Sequence, residues 1–229
     1  MIPIRDENPV HIVPFVTIGI LAVNIAVFLL EIASPDGGEG IIRRFGAIPF
    51  RLASGGTGSL TDYVTVGTSM FLHGGLFHLA GNMLFLWIFG NNVEEHLGSI
   101  RFLLFYAFCG AAAAAAHIVS APGSVIPMIG ASGAVAGVMG AYVILFPRAR
   151  IVTLVFLGFL VQMVRLPAVL WIGIWFLIQF VSAVAGGTAE SGGVAWMAHV
   201  GGFGAGLALM SVERLLCPRL GGGREAAGL

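Results

Sequence analysis

Lysine is absent from this chain of 229 residues, and its 11 basic residues are all arginine. Charge of either sign is scarce. Charged residues make up 10%, against roughly 25% in a soluble domain. With 58% hydrophobic residues and a mean hydropathy of +0.97, the composition excludes an ordinary soluble fold and predicts an integral membrane protein. The 11 acidic residues balance the basic ones, so no excess positive field points to nucleic acid. Cysteine is scarce too. Cys109 lies in an apolar run and Cys217 near the end of another, and both are expected to pack rather than to form a disulfide or a metal pair. Aspartate occurs only as Asp6, Asp36 and Asp62, outside the long apolar runs, which excludes an aspartyl intramembrane protease. H-E-x-x-H is missing, and with it the zinc-protease helix. The start, "MIPIRDENPV", has acids and no basic n-region, unlike a cleaved signal or transit peptide.

What is present is a series of apolar runs. A bilayer-spanning helix needs roughly 20 apolar residues, and six runs meet or approach that: about 14–33, 76–93, 100–119, 130–146, 166–185 and 198–216. The expected fold is an all-α polytopic membrane protein with six transmembrane helices. Residues 14–216 form the bundle, 1–13 a cytoplasmic N-terminal segment and 217–229 a cytoplasmic tail. The first loop, about 34–70, reads as long and polar, with "SPDGGEG" and "SGGTGSLTD" as turn-rich pieces. Ile151–Val164 is apolar but short for a span and reads as interfacial or re-entrant. Basic residues favour the cytoplasmic side. With both termini inside, eight arginines (Arg5, Arg101, Arg148, Arg150, Arg165, Arg214, Arg219, Arg224) face in, and three (Arg43, Arg44, Arg51) face out. The chain is therefore expected in the cell's inner membrane with both termini cytoplasmic.

Polar side chains inside such runs are costly and each needs a reason. "FLHGGLFHLAGNM" holds His73, His78 and Asn82; "GASGAVAGVMG" holds Ser132; "AHVGGFGAG" holds His199. The second, fourth and sixth spans all run inward from the outer side, and these residues sit near their N-terminal ends. The topology thus puts them at one depth below the outer surface. A serine becomes a nucleophile when a general base takes its proton, and Ser132 with His199 supplies that pair. Gly133, Gly137 and Gly140 on one helix, with Gly202 and Gly206 on the other, let the two helices approach closely. His78 and Asn82, four apart, share a helix face. Together with the Ser132 amide at a helix start, with Gly133 beside it, they could hold an oxyanion. His73, one turn further out, reads as a supporting or surface residue. No carboxylate lies behind His199, so the expectation is a Ser–His dyad.

In these pieces the sequence resembles the rhomboid family of intramembrane serine proteases. The His-x4-His-x3-Asn pattern of "HGGLFHLAGNM", "GASG" around Ser132 and "AHVGGFGAG" around His199 match in order, spacing and span position. "PRAR", an apolar segment and "VRLPA" also look like many bacterial members. The resemblance implies hydrolysis of peptide bonds in or beside the transmembrane segments of other membrane proteins, inside the lipid bilayer. It implies a water-accessible cavity open to the outer side, no metal and no cofactor. It also implies lateral substrate entry between the second and fifth spans, for which Trp171, Trp175, Phe176 and Phe180 are gate candidates. Two departures stand out. Some members carry a tyrosine four residues after the serine that stacks on the histidine; here that position is Ala136, so His199 must be held by something else. The Trp-Arg motif some members carry in the first loop is absent, and "RRFGAIPFRL" is the candidate replacement.

Each residue alone has a plainer reading. Ser132 could be a packing serine and His199 a buried hydrogen-bonded one; His78 and Asn82 could pin a helix start. A metal set of His73, His78 and His199 lacks a carboxylate or thiolate, and a proton-coupled transporter would show buried carboxylates and repeats. A reading from a different class is a rhomboid-type binding or quality-control factor without proteolysis. Inactive relatives lose the serine or histidine, whereas this chain keeps both.

Overall fold

In a computed structural model, which describes residues 1–53, 59–158, 160–185 and 195–216, each expected apolar run forms a helix. These are α1 (Phe15–Ala33), α5 (Leu76–Leu97), α6 (Ser99–Ser120), α7 (Ser132–Leu145), α8 (Ala168–Val184) and α9 (Trp196–Leu216). The expected tail 217–229 and Cys217 lie outside the described residues. Among those described, α1 and α6 are individually long and apolar enough to cross a bilayer, while α7 and α8, at 14 and 17 residues, are shorter. The protein is a helical membrane bundle.

Among its described residues the first loop is turn at 34–38, as its composition implies, and has short helices after it; 54–58, most of "SGGTGSLTD", lie outside the described residues. The loop holds α2 (Glu39–Phe45), α3 (Pro49–Ala53) and α4 (Leu60–Thr68), and then a 3-10 turn, Ser69–Phe71. Its apolar residues explain the order: Ala47, Ile48, Met70 and Leu72 are buried, and Ala47 pairs with Met128 in an antiparallel bridge. The chain bends by 81° between Leu60–Phe71 and Leu76–Leu97. Gly98, at φ +77, then separates α5 from α6.

The short apolar stretch Ile151–Val164 is extended, not helical. It is a β-hairpin of β2 (Arg150–Leu157) and β3 (Leu160–Pro167). The N-terminal strand β1 (Ile2–Asp6) adds to it antiparallel, in the order β1-β2-β3. The β-branched content of "RIVTLVFL" suits a strand, and the turn at Gly158 takes φ +64. Backbone pairing across three strands satisfies the hydrogen bonds that a short re-entrant segment would leave open. The Tyr142 hydroxyl at the far end of α7 donates to Asp6 at 2.6 Å, tying this sheet to the bundle.

Glu94, fully buried, caps α1. Its carboxylate accepts from the Val16 and Thr17 amides at 2.9 and 2.8 Å, the Thr17 hydroxyl at 2.8 Å and the Ser99 hydroxyl at 2.7 Å. A negative group at the positive end of a helix, satisfying its open N–H groups, is favourable twice over.

α7 is the centre of the bundle. Eleven of its 14 residues are buried, so it needs no polar face. At about 1.5 Å per residue it is about 21 Å long, less than the roughly 30 Å hydrocarbon core. Its first residue, Ser132, can therefore sit below a membrane surface.

Candidate active site

The turn into α7 begins at Gly130, whose φ of +116 is a conformation L side chains rarely adopt. Its amide donates to the Ser69 carbonyl at 2.9 Å, which fastens the turn to the first loop. A Cβ there would stand 2.7 Å from His78 Nε2 and 3.6 Å from Asn82 Nδ2. The hydrogen on Gly130 thus leaves room for both side chains of α5 beside the start of α7.

Helix α9 delivers His199 to the same place. The Ser132 hydroxyl and His199 Nε2 are 2.7 Å apart, across 67 residues of sequence. The approach depends on the glycines. A Cβ at Gly202 would fall on the Gly133 backbone, one at Gly206 on the Gly137 backbone, and one at Gly140 on the Phe203 carbonyl. On its other side α7 meets α6: Cβ atoms at Gly133 and Gly137 would collide with Ala113 and Cys109. Cys109 is a free, buried packing residue.

Sequence reasoning searched behind His199 for a carboxylate and missed what holds it. His199 Nδ1 lies 2.7 Å from Gln179 Oε1 on α8. An amide oxygen only accepts, so Nδ1 carries the proton and Nε2 is left to accept from Ser132. The Trp175 ring, one turn before Gln179, lies 5.9 Å from the imidazole, and Trp196 lies edge-on at 6.2 Å. With Ala136 fully buried in the core, α8 and the start of α9 cover the ring. The available signal was an amide alone among apolar residues in "WIGIWFLIQFV", because a buried polar group needs a partner.

Of the two readings of His73, supporting or surface, its burial fits the first: it is 2% exposed. The Asn82 amide donates to its Nε2 at 3.0 Å, and its own backbone N–H donates to the buried Glu31 carboxylate at 3.3 Å. Its ring meets His78 edge to face at 5.1 Å. His73 thus holds Asn82 from outside the helix, an arrangement their nine-residue spacing could not disclose.

Of the four gate candidates, Trp171 and Trp175 lie between α5 and α8, while Phe176 and Phe180 face α9. Trp171 is buried, 5.5 Å from the Phe85 ring and 6.1 Å from Phe89; Trp175 is 6.4 Å from Phe85. Phe176 stacks on Phe203 of α9 at 4.3 Å, with Phe180 6.2 Å beyond it.

Fold and cluster together define a polytopic helical membrane protein with a serine–histidine pair between two of its inner helices. The rhomboid domain model matches residues 60–214, more than half of the sequence. The chain belongs to the rhomboid family. It is 32% identical over 147 residues to "Rhomboid protein 1, mitochondrial" of Saccharomyces cerevisiae, covering 62% of this chain and 40% of that protein. It is 39% identical over 114 residues to "Rhomboid protease GluP" of Bacillus subtilis, covering 50% and 21%. The human "Presenilin-associated rhomboid-like protein, mitochondrial" is 32% identical over 135 residues, covering 58% and 33%. The chain spans less than half the length of these relatives. The family includes intramembrane serine proteases.

Proposed function

We propose that this protein is an intramembrane serine endopeptidase that hydrolyses peptide bonds in or near the transmembrane segments of other membrane proteins. The observation that carries this reading is the 2.7 Å contact between the Ser132 hydroxyl and His199 Nε2, made across two helices in a rhomboid-family chain. His199 Nε2 takes the serine proton as Oγ bonds to the scissile carbonyl carbon. The same nitrogen then protonates the departing amine as the C–N bond breaks, leaving an acyl-enzyme. Water, deprotonated by His199, releases the acid and regenerates Ser132. In this reading the oxyanion that forms at each attack accepts from Asn82, His78 and the open N–H groups at the start of α7, Ser132 and Gly133. A substrate helix must unwind locally to expose its bond to this site, so helix-weakening residues are expected at the cleavage point.

The protein has six spans in the cell's inner membrane in this reading; the arginine distribution supports both termini on the cytoplasmic side, which turns the catalytic cavity to the outer side. Substrates enter along the seam of α5 and α8, past Trp171 and Trp175. No cofactor takes part in this chemistry.

The test is a paired assay. Wild type and Ser132→Ala are reconstituted in liposomes with a tagged single-span protein carrying helix-breaking residues. Products are followed by gel, and the new terminus by mass spectrometry. Cleavage by wild type alone is expected. Equal cleavage by both would mean a contaminant or a different active site; no cleavage and no labelling of Ser132 by a fluorophosphonate would replace the protease with a membrane-protein binding or quality-control factor.

A further inference from the structure

We infer that Gln179 is the third member of the site, a positioning residue that keeps His199 in the tautomer and orientation its work as a base requires; this rests on the protease reading above. Three observations converge on it. Gln179 is buried, with only 7% of its surface exposed, in a helix whose neighbouring residues Leu177, Ile178, Phe180 and Val181 are apolar and exposed. A buried amide among such residues is costly unless it is bonded. Its oxygen is spent on His199 Nδ1, at 2.7 Å, while the other ring nitrogen faces the serine at the same distance. Finally, Trp175 lies four residues earlier on the same helical face and packs beside the same imidazole.

The chemistry follows from the two nitrogens of a neutral imidazole. One carries hydrogen and the other a lone pair, and the bond to one decides the role of the other. An acceptor at Nδ1 holds the hydrogen there and leaves Nε2 basic. Without it the opposite tautomer, with hydrogen on Nε2, becomes populated and cannot take the serine proton. Ala136 offers no ring to hold the imidazole from α7, so α8 supplies both constraints. Gln179 is neutral, which separates this arrangement from a carboxylate triad. It orients the base, and its carbonyl dipole faces the imidazolium that forms, without a full charge. Because both contacts come from α8, moving that helix would release the base from Gln179 and Trp175 together.

The experiment compares wild type, Gln179→Leu, Gln179→Glu and Ser132→Ala in the same liposomes. Cleavage kinetics are measured against pH, alongside the rate at which a fluorophosphonate labels Ser132. Gln179→Leu is expected to lower kcat and the labelling rate roughly 10-fold to 100-fold with KM little changed, because only the orientation of the base is lost. Gln179→Glu retains the acceptor and adds a charge. It is expected to restore the rate and to raise the acidic limb of the pH–rate profile by about 1 unit. His78 on α5 and His117 on α6, the other titratable groups that face His199 among the described residues, are unchanged in every variant, so the displacement reports position 179. Rescue by glutamate also separates positioning from a fold that merely needs its glutamine. Wild-type rates in Gln179→Leu, or glutamate failing both to rescue and to move the limb, would overturn the assignment. Serine-independent cleavage would instead overturn the protease reading.

Discussion

Replacing Gly206 with alanine adds one methyl group far from the reacting atoms, and it should cost most of the activity. The new Cβ would lie 2.6 Å from the Gly137 carbonyl carbon and 2.7 Å from its Cα. Carbon atoms rest at about 3.5 Å or more, and backbone inside a buried helix cannot rotate aside as a side chain can. Helices α7 and α9 must therefore part by about 1 Å near this contact. These are the helices that carry Ser132 and His199, whose contact of 2.7 Å would stretch past the limit of a hydrogen bond, about 3.5 Å. A misplacement of this size costs on the order of 100-fold in rate, and overpacking costs roughly 1–3 kcal/mol of stability. Gly204 provides the control: it lies on the same helix, and a Cβ there would meet nothing within 4 Å. Both alanine variants would be assayed in liposomes for cleavage and for fluorophosphonate labelling of Ser132, and melted in detergent. Gly206→Ala should label and cleave roughly 100-fold more slowly and melt earlier, and Gly204→Ala should behave as wild type. If Gly206→Ala matched Gly204→Ala in rate, close approach of these helices would not be what assembles the site.

Two further outcomes are expected. Asn82→Ala should lower kcat roughly 10-fold to 1000-fold, the range for one oxyanion donor, with KM little affected; unchanged turnover in steady-state kinetics would remove Asn82 from that role. Burial raises the Asp6 carboxyl above its ordinary value of 3.8, outweighing the hydroxyl bond from Tyr142 that lowers it. An acid whose pKa is higher folded than unfolded contributes stability below the unfolded value and loses it as pH rises through the folded one. The melting temperature of wild type relative to Asp6→Asn should therefore fall as pH is raised from 3.8, and a flat difference across that range would refute the buried carboxyl.

Much was legible in the residues. The apolar runs are dictated by the need to satisfy every backbone group inside a bilayer, so 14–33, 100–119 and 198–216 coincide with α1, α6 and α9 to within about two residues. The motifs around His78, Ser132 and His199 announced themselves because polar side chains in such runs demand a reason. The small residues Gly202 and Gly206 marked the contact face. Composition was incomplete where tertiary pairing took over. The first loop reads as polar, and 34–38 are turn as expected, yet it also holds short helices, beside which Ala47 and Met70 are buried. Nothing within Ile151–Val164 shows that it pairs as a hairpin beside a strand from the other end of the chain, Ile2–Asp6.

By itself, then, the sequence determined that this is a helical membrane protein of the rhomboid type, and which serine and histidine to watch. Those properties follow from local hydropathy and from residue types at short spacings. Only the tertiary structure decided that Gln179 stands behind His199, that His73 is buried against Asn82, and that Gly206 must lack a side chain because the Gly137 backbone fills its place. Each of these is a contact between different structural elements, not within one. A hydrogen bond of 2.7 Å depends on how two helices pack, which no periodicity within either helix encodes.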